Sequence, residues 1–185
     1  MLTLVLIVLV VLALVGVLLY NRITVLENRI QNAWGQIDVQ LKRRNDLIPN
    51  LLETVRGYAA HEQGVFTELG RARERSLQAS SVPEQAEASS QVSAALKSVF
   101  AVAEAYPELK ANENFLALQG ELSETEDKIA YARSFYNDAV LRFNNAIETV
   151  PGNLVAGPMG KTPQVVLAMP DAERAVPRVS FDRAT

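Results

Sequence analysis

The sequence predicts an all-α protein: a single N-terminal transmembrane helix, an antiparallel bundle of long helices, and a Pro/Gly-rich tail. Three observations carry that expectation. Residues 1–20 hold no charge, and fifteen of them are Leu, Ile or Val. From residue 22 to 150 apolar residues recur at spacings of three and four, the period of a helix with one buried stripe. The last 35 residues then hold five of the eight prolines and three of the nine glycines, a density no stable helix tolerates. The boundaries are 1–20 for the anchor, 21–150 for the bundle and 151–185 for an extended or disordered tail.

Twenty helical residues span about 30 Å, the thickness of a hydrocarbon core. The fifteen aliphatic residues favour insertion by roughly 5 to 9 kcal/mol. A cleaved signal peptide would want a basic n-region and a small-residue cleavage site. Only Met1, Leu2 and Thr3 precede the apolar run, and Ala13–Val17 is a poor cleavage site, so an uncleaved anchor is the expectation. Arg22 and Arg29 follow the span, which under the positive-inside rule places the N-terminus outside and the bulk of the chain in the cytoplasm.

The first bundle stripe reads Ile23, Leu26, Ile30, Trp34, Ile37, Leu41, Ile48, Leu51, Val55 and Tyr58, continuing through Val65, Leu69 and Ala72. As one helix over 22–79 it would be about 87 Å long. Pro49 interrupts it, predicting a kink or a fresh helix start near Asn45-Asp46. With no glycine close by to reverse the chain the kink is preferred, giving a bundle of three long helices, or four if Pro49 breaks the first. Ser80-Ser81-Val82-Pro83 reads as a turn with Pro83 in the first helical positions. A second helix over 84–105 ends before Pro107. The third runs from about Asn112 to Val150, with Phe115, Leu122, Ile129, Tyr136, Phe143 and Ile147 on its stripe. In the tail, Gln164–Met169 and Arg178–Phe181 are expected as short strands or partner-binding segments.

Composition excludes much chemistry. No cysteine is present, so disulfides, thiolate metal sites and a Cys nucleophile are ruled out. The single histidine, His61, begins a zinc-protease-like His-Glu pair, but Val65 stands where the second histidine is needed. His61 is expected on a solvent-facing helix position. Eighteen basic against 21 acidic residues give a net charge of −3, which speaks against nucleic acid as a partner. Nucleotide loops and nucleophile elbows are missing from the sequence. Glu121, Glu124, Glu126 and Asp127 cluster, yet Glu124 and Lys128 are four apart in the stabilising order, so a solvated ion-paired face is preferred over a metal site. No catalytic residue and no cofactor is expected.

Four residues are singled out as structural. Pro49 sets the kink. Trp34 lies on the apolar stripe, for core packing rather than as a ligand platform. Lys42-Arg43-Arg44 is the one basic run, and on a straight helix it stands about 30 Å from the membrane, too far for lipid head groups. Arg44, by its spacing from Leu41 and Ile48, falls on the stripe and needs a partner there. Glu126, beside stripe position Thr125 of the third helix, is the expected one.

Several blocks resemble a known family. They are Tyr20-Asn21 after the anchor, Asn32-Ala33-Trp34-Gly35-Gln36-Ile37-Asp38 running on to Leu51, and Glu53-Thr54-Val55 with Gly57-Tyr58-Ala59 and His61-Glu62. Further on come Ala105-Tyr106-Pro107-Glu108-Leu109-Lys110-Ala111-Asn112, Phe115–Gln119, Thr125–Arg133 and Tyr136-Asn137. In this order they are similar to the LemA family over nearly the whole chain. The resemblance implies a single-pass protein of the bacterial inner membrane with a helical-bundle domain, its short N-terminus outside, and no catalytic residues. Magnetosome-associated relatives point to a membrane-organising role. The tail departs from the family, with Gly157-Pro158-Met159-Gly160-Lys161 where aromatic residues are typical, while Pro177–Phe181 fits.

The function expected is therefore a non-enzymatic, membrane-anchored scaffold whose partners are the bilayer, unidentified proteins and, as an open question, further copies of itself. The alternative is an adaptor or regulator of a neighbouring membrane enzyme such as an envelope-stress protease. A hydrolase with a hidden polar pocket ranks behind both.

Overall fold

The computed structural model describes residues 1–59 and 61–168. Six helices follow in order: α1 Leu2–Arg56, α2 Gln63–Gln78, α3 Val82–Ala103, α4 Pro107–Lys110, α5 Glu113–Glu148 and α6 Asn153–Ala156. Among the described residues there is no strand.

α1 is one helix of 55 residues, about 82 Å long. The large apolar side chains from Leu2 to Leu18 all stand exposed, and burial begins at Ile23. The same helix is thus an apolar arm at one end and the central column of the bundle at the other. α1 alone among the described helices is long and apolar enough to cross a membrane.

The bundle is built on α1 and α5, which make the most extensive contact in the molecule. Their pairings fix the direction. Arg22 and Thr149 border one groove, Trp34 meets Tyr136, Arg44 meets Glu126, and Asn50 lies across from Leu118. Numbers ascend on one helix as they descend on the other, so the two run antiparallel. α2 and α3 form a second antiparallel pair, tied near its turn by Arg75 and Gln91 and near its open end by Glu62 and Tyr106. That turn is fixed locally. The Ser81 hydroxyl accepts from Glu84 N–H, and the Glu84 carboxylate accepts from the backbone N–H groups of Ser80 and Ser81, a capping box with Pro83 next to the helix start. These hydrogen bonds, led by that from Ser80 N–H, hold the Glu84 carboxyl below its ordinary pKa.

The core is in two parts. Near the arm, Ile23 to Leu41 of α1 packs on Ile129 to Ile147 of α5. Farther out, Ile48 to Val55 packs on Phe66, Leu69 and Ala72 of α2, Val92 to Ala103 of α3, and Phe115 and Leu122 of α5. The molecule is therefore a two-helix stalk that widens into a four-helix head.

Three expectations change. The chain runs on through Pro49 without a break, the preferred alternative, but does not continue as one helix to residue 79. It breaks at 57–62, between α1 and α2, where Gly57, the poorest helix former after proline, closes α1 and Ala59 turns inward to full burial. His61 falls in this turn, exposed, rather than on a helix. The second helix starts and ends two residues early, because Ser81 caps it and Pro107 opens the separate turn α4.

The segment after Val150 packs on the bundle. The Val150–Pro151 peptide is cis, and a Cβ at Gly152 would collide with the carbonyl oxygen of Ala146, so only glycine fits this approach. Ala156 and Leu167 are buried in the stalk core. Asn144 brackets the backbone of Gln164, donating to its carbonyl at 2.9 Å and accepting its N–H at 2.8 Å. Asn137 does the same for Leu167, at 3.0 and 2.8 Å. Residues 164–168 form no strand, and their backbone is bonded to side chains of α5. Met169 and Arg178–Phe181 lie outside the described residues.

Candidate functional site

Between the two halves of the core lies a polar layer. Arg44, Asn45, Ser89 and Thr125 are all buried there. The guanidinium of Arg44 has no solvent exposure and gathers partners from two helices. Its Nη1 donates to Glu126 Oε1 at 2.7 Å and to Ser93 Oγ at 3.1 Å, while Nη2 donates to Ser89 Oγ at 3.0 Å. Ser93 Oγ lies 2.6 Å from Glu126 Oε2 and 3.1 Å from the Ser89 carbonyl. A hydroxyl has one proton, and the shorter approach to the charged acceptor takes it. Arg44 Nε, in its buried position, finds no partner among the described residues. Glu126 keeps about a third of its side chain exposed, so the pair has a dry cationic end and a wet anionic end.

A buried guanidinium is costly unless paired, and removing its carboxylate leaves an uncompensated charge, typically about 3–5 kcal/mol. The layer therefore acts on alignment: at this level α1, α3 and α5 meet through specific polar geometry rather than through interchangeable apolar contacts.

Beside Arg44, the layer handles the proline. Pro49 has no N–H to give to the carbonyl of Asn45, one turn earlier. Arg73 of α2 supplies the donor instead, its Nε reaching Asn45 O at 2.8 Å. The Asn45 side chain donates to Ser76 Oγ at 3.0 Å. α2 thus docks on α1 at the turn proline disturbs.

The four residues chosen from sequence fall as follows. Arg44 and Glu126 are brought together. Trp34 is half-buried at the edge of the stalk core, its ring edge-on to Tyr136 with centroids 5.6 Å apart, and the fully buried stripe position is its neighbour Ala33. Pro49 sits apart from Trp34, in the head. Burial pushes the Tyr136 hydroxyl above its ordinary pKa, and that hydroxyl donates to the Val165 carbonyl at 3.4 Å. Three of the four clustered carboxylates are drawn to separate cations: Glu121 to Arg43 at 3.5 Å, Glu124 to Lys128 at 2.6 Å and Glu126 to Arg44. The Lys128 ammonium holds the Glu124 carboxyl below its usual range.

Sequence reasoning missed Ser89, Ser93 and Arg73. Ser89 and Ser93 are four apart and lead into the Leu96 stripe, so two hydroxyls on an apolar face were the available signal. Arg73 gave none, because its role exists only where α2 crosses Pro49.

A groove of about 630 Å³ opens between α3 and α5, lined by Leu96, Phe100, Leu116, Glu126, Ile129 and Leu167 among others. A second, of about 670 Å³, runs along the stalk, where Val39 and Tyr131 stand exposed beside Gly35 and Ala132.

The family model described as LemA family matches residues 33–181. Protein LemA of Metamycoplasma hominis is 29% identical over 134 residues, covering 70% of this chain. The match spans 60% of that relative's length.

Proposed function

We propose that this chain, which belongs to the LemA family, is a non-enzymatic scaffold held at the bacterial inner membrane by its first twenty residues, presenting its helical stalk to protein partners. The observation that supports this reading is the continuity of α1, exposed and apolar over Leu2–Leu18 and buried from Ile23 onward. One helix without a hinge between arm and bundle fixes the bundle at a set distance from the bilayer, which suits positioning more than turnover. Arg22 and Arg29 favour the orientation with the bundle in the cytoplasm. The exposed Val39 and Tyr131 of the stalk groove are the surface we assign to partner contact, a second copy of the chain first among the partners.

With no native cysteine, single replacements report cleanly. Thr67→Cys, on the exposed face of α2, is expected to resist a membrane-impermeant maleimide in intact cells and to label after lysis. Labelling of intact cells would reverse the orientation. Val39→Cys, treated with a short bis-maleimide in native membranes, is expected to give a dimer of twice 20.3 kDa. A product joined only to a different protein would favour the adaptor reading, and none at all would remove the stalk groove as an interface.

A further inference from the structure

At the arm end of the stalk a groove of about 590 Å³ runs between α1 and α5, walled by Arg22 and Arg29 of α1 and Arg142 of α5, with Asn21, Asn145 and Thr149 between them. Three arginines border one hollow, and no carboxylate is among the residues that line it. Arg142 Nε is held by Asp138 at 2.9 Å. No hydrogen bond or ion pair among the described residues engages Arg22 or Arg29. Glu27, the acid nearest both in sequence, is taken by Lys161 at 2.6 Å. Charge is therefore concentrated here with little internal compensation, and donors in a planar fork suit phosphate oxygens.

The groove's height narrows the ligand. If residues 1–20 fill the hydrocarbon core, Arg22 starts about 3 Å beyond it, and the head-group layer occupies roughly the next 5–8 Å. Arg29 starts farther out, but helical side chains lean toward the N-terminus, which on α1 is toward the bilayer. The same end of the bundle carries Val150 and Leu154, 76% and 71% exposed, beside the turn that packs on Leu19 and Ile23. Exposed aliphatic side chains beside a cationic groove are the composition of a surface that rests on a membrane. Lys42 and Arg43 stand about 30 Å away along α1 and cannot reach.

We propose that the Arg22–Arg29–Arg142 groove binds the phosphate of an anionic phospholipid head group and so locks the stalk against the membrane surface. The proposal rests on the anchor reading above, and its test separates the two. The full-length protein in an uncharged detergent is titrated with dioctanoyl phosphatidylglycerol while its melting temperature is followed. A saturable rise is expected for the wild type. In the Arg22→Gln/Arg29→Gln variant the half-saturating concentration should increase about tenfold or more, since charge-assisted hydrogen bonds are lost. Lys42→Gln should titrate like the wild type. Inorganic phosphate over the same range should give little shift; an equal shift would make this a free-anion site and overturn the lipid assignment. Equal titration of the double variant and the wild type would overturn the groove. Alkaline carbonate extraction of wild-type membranes reads the anchor alone: a chain that stays in the pellet but shows no lipid-dependent shift retains its anchor and refutes the site.

Discussion

Pro49 and Arg73 are joined through one carbonyl: the proline removes the N–H that would satisfy Asn45 O, and Arg73 Nε donates to that oxygen at 2.8 Å. A proline in the interior of a 55-residue helix is thereby absorbed, and α2 is registered against α1. Arg73→Met should destabilise the protein by about 1–3 kcal/mol, leaving a partly buried acceptor unsatisfied. In a Pro49→Ala background the backbone donor returns, so the same change should cost markedly less. Denaturant unfolding of the four proteins in mild detergent measures the coupling, and strict additivity would show that the two residues act independently.

Arg44 and Glu126 should couple in the same way, with larger singles. Arg44→Met and Glu126→Gln are each expected to cost about 2–4 kcal/mol, because each leaves a polar group of the layer without its partner. The double variant should fall short of the sum by about 0.5–3 kcal/mol. Ser89→Ala, which removes one neutral acceptor from Nη2, should cost about 1 kcal/mol.

Tyr136 predicts a loss of stability in alkali. Burial raises its folded pKa above the ordinary value of 10.0. Above that ordinary value the unfolded chain releases the phenolic proton before the folded one does, so unfolding becomes easier as pH rises toward the folded pKa. Unfolding midpoints should therefore decline from about pH 10 upward. Tyr136→Phe should flatten that part of the profile and remove one tyrosinate absorbance step above pH 10.

Asn137 and Asn144 hold the segment after α6 by paired hydrogen bonds to Leu167 and Gln164. Asn137→Ala/Asn144→Ala should speed amide exchange at Gln164 and Leu167, and should open the 157–168 region to limited proteolysis while α1 and α5 stay protected. Unchanged exchange would mean that burial of Leu167 alone suffices to keep the segment in place.

The Glu84 cap should fail in acid. Hydrogen bonds lower its folded pKa below 4.5, so the stability it contributes is present above that value and declines as pH falls through the folded pKa. Ser81→Ala should remove about 0.5–2 kcal/mol at neutral pH, while Glu84→Gln, which takes away the titrating carboxyl, should remove this part of the acid sensitivity, read from helix content between pH 5 and 2.

Much of this architecture was legible in the sequence because it follows from local periodicity. A run of twenty uncharged residues, a three–four apolar stripe and a Ser-Ser-Val-Pro turn are properties of neighbouring residues, so the apolar arm, the long α5 and the turn before α3 could be placed without knowing what they touch. Arg44 could be given a partner because an arginine on an apolar stripe forces a carboxylate onto the facing helix, and antiparallel packing left Glu126 near the right height. Tertiary structure alone decided the rest. Whether Pro49 would break α1 depended on a donor from a helix crossing at residue 73. Whether the chain after Val150 would stand loose depended on Asn137 and Asn144, seven residues apart on the face of α5 that receives it. The arginine groove at the arm end likewise required α5 to return to the level of Arg22 and bring Arg142 beside it. In each case the deciding partner is twenty or more residues away, and helical period says which face a residue occupies but not what will arrive there.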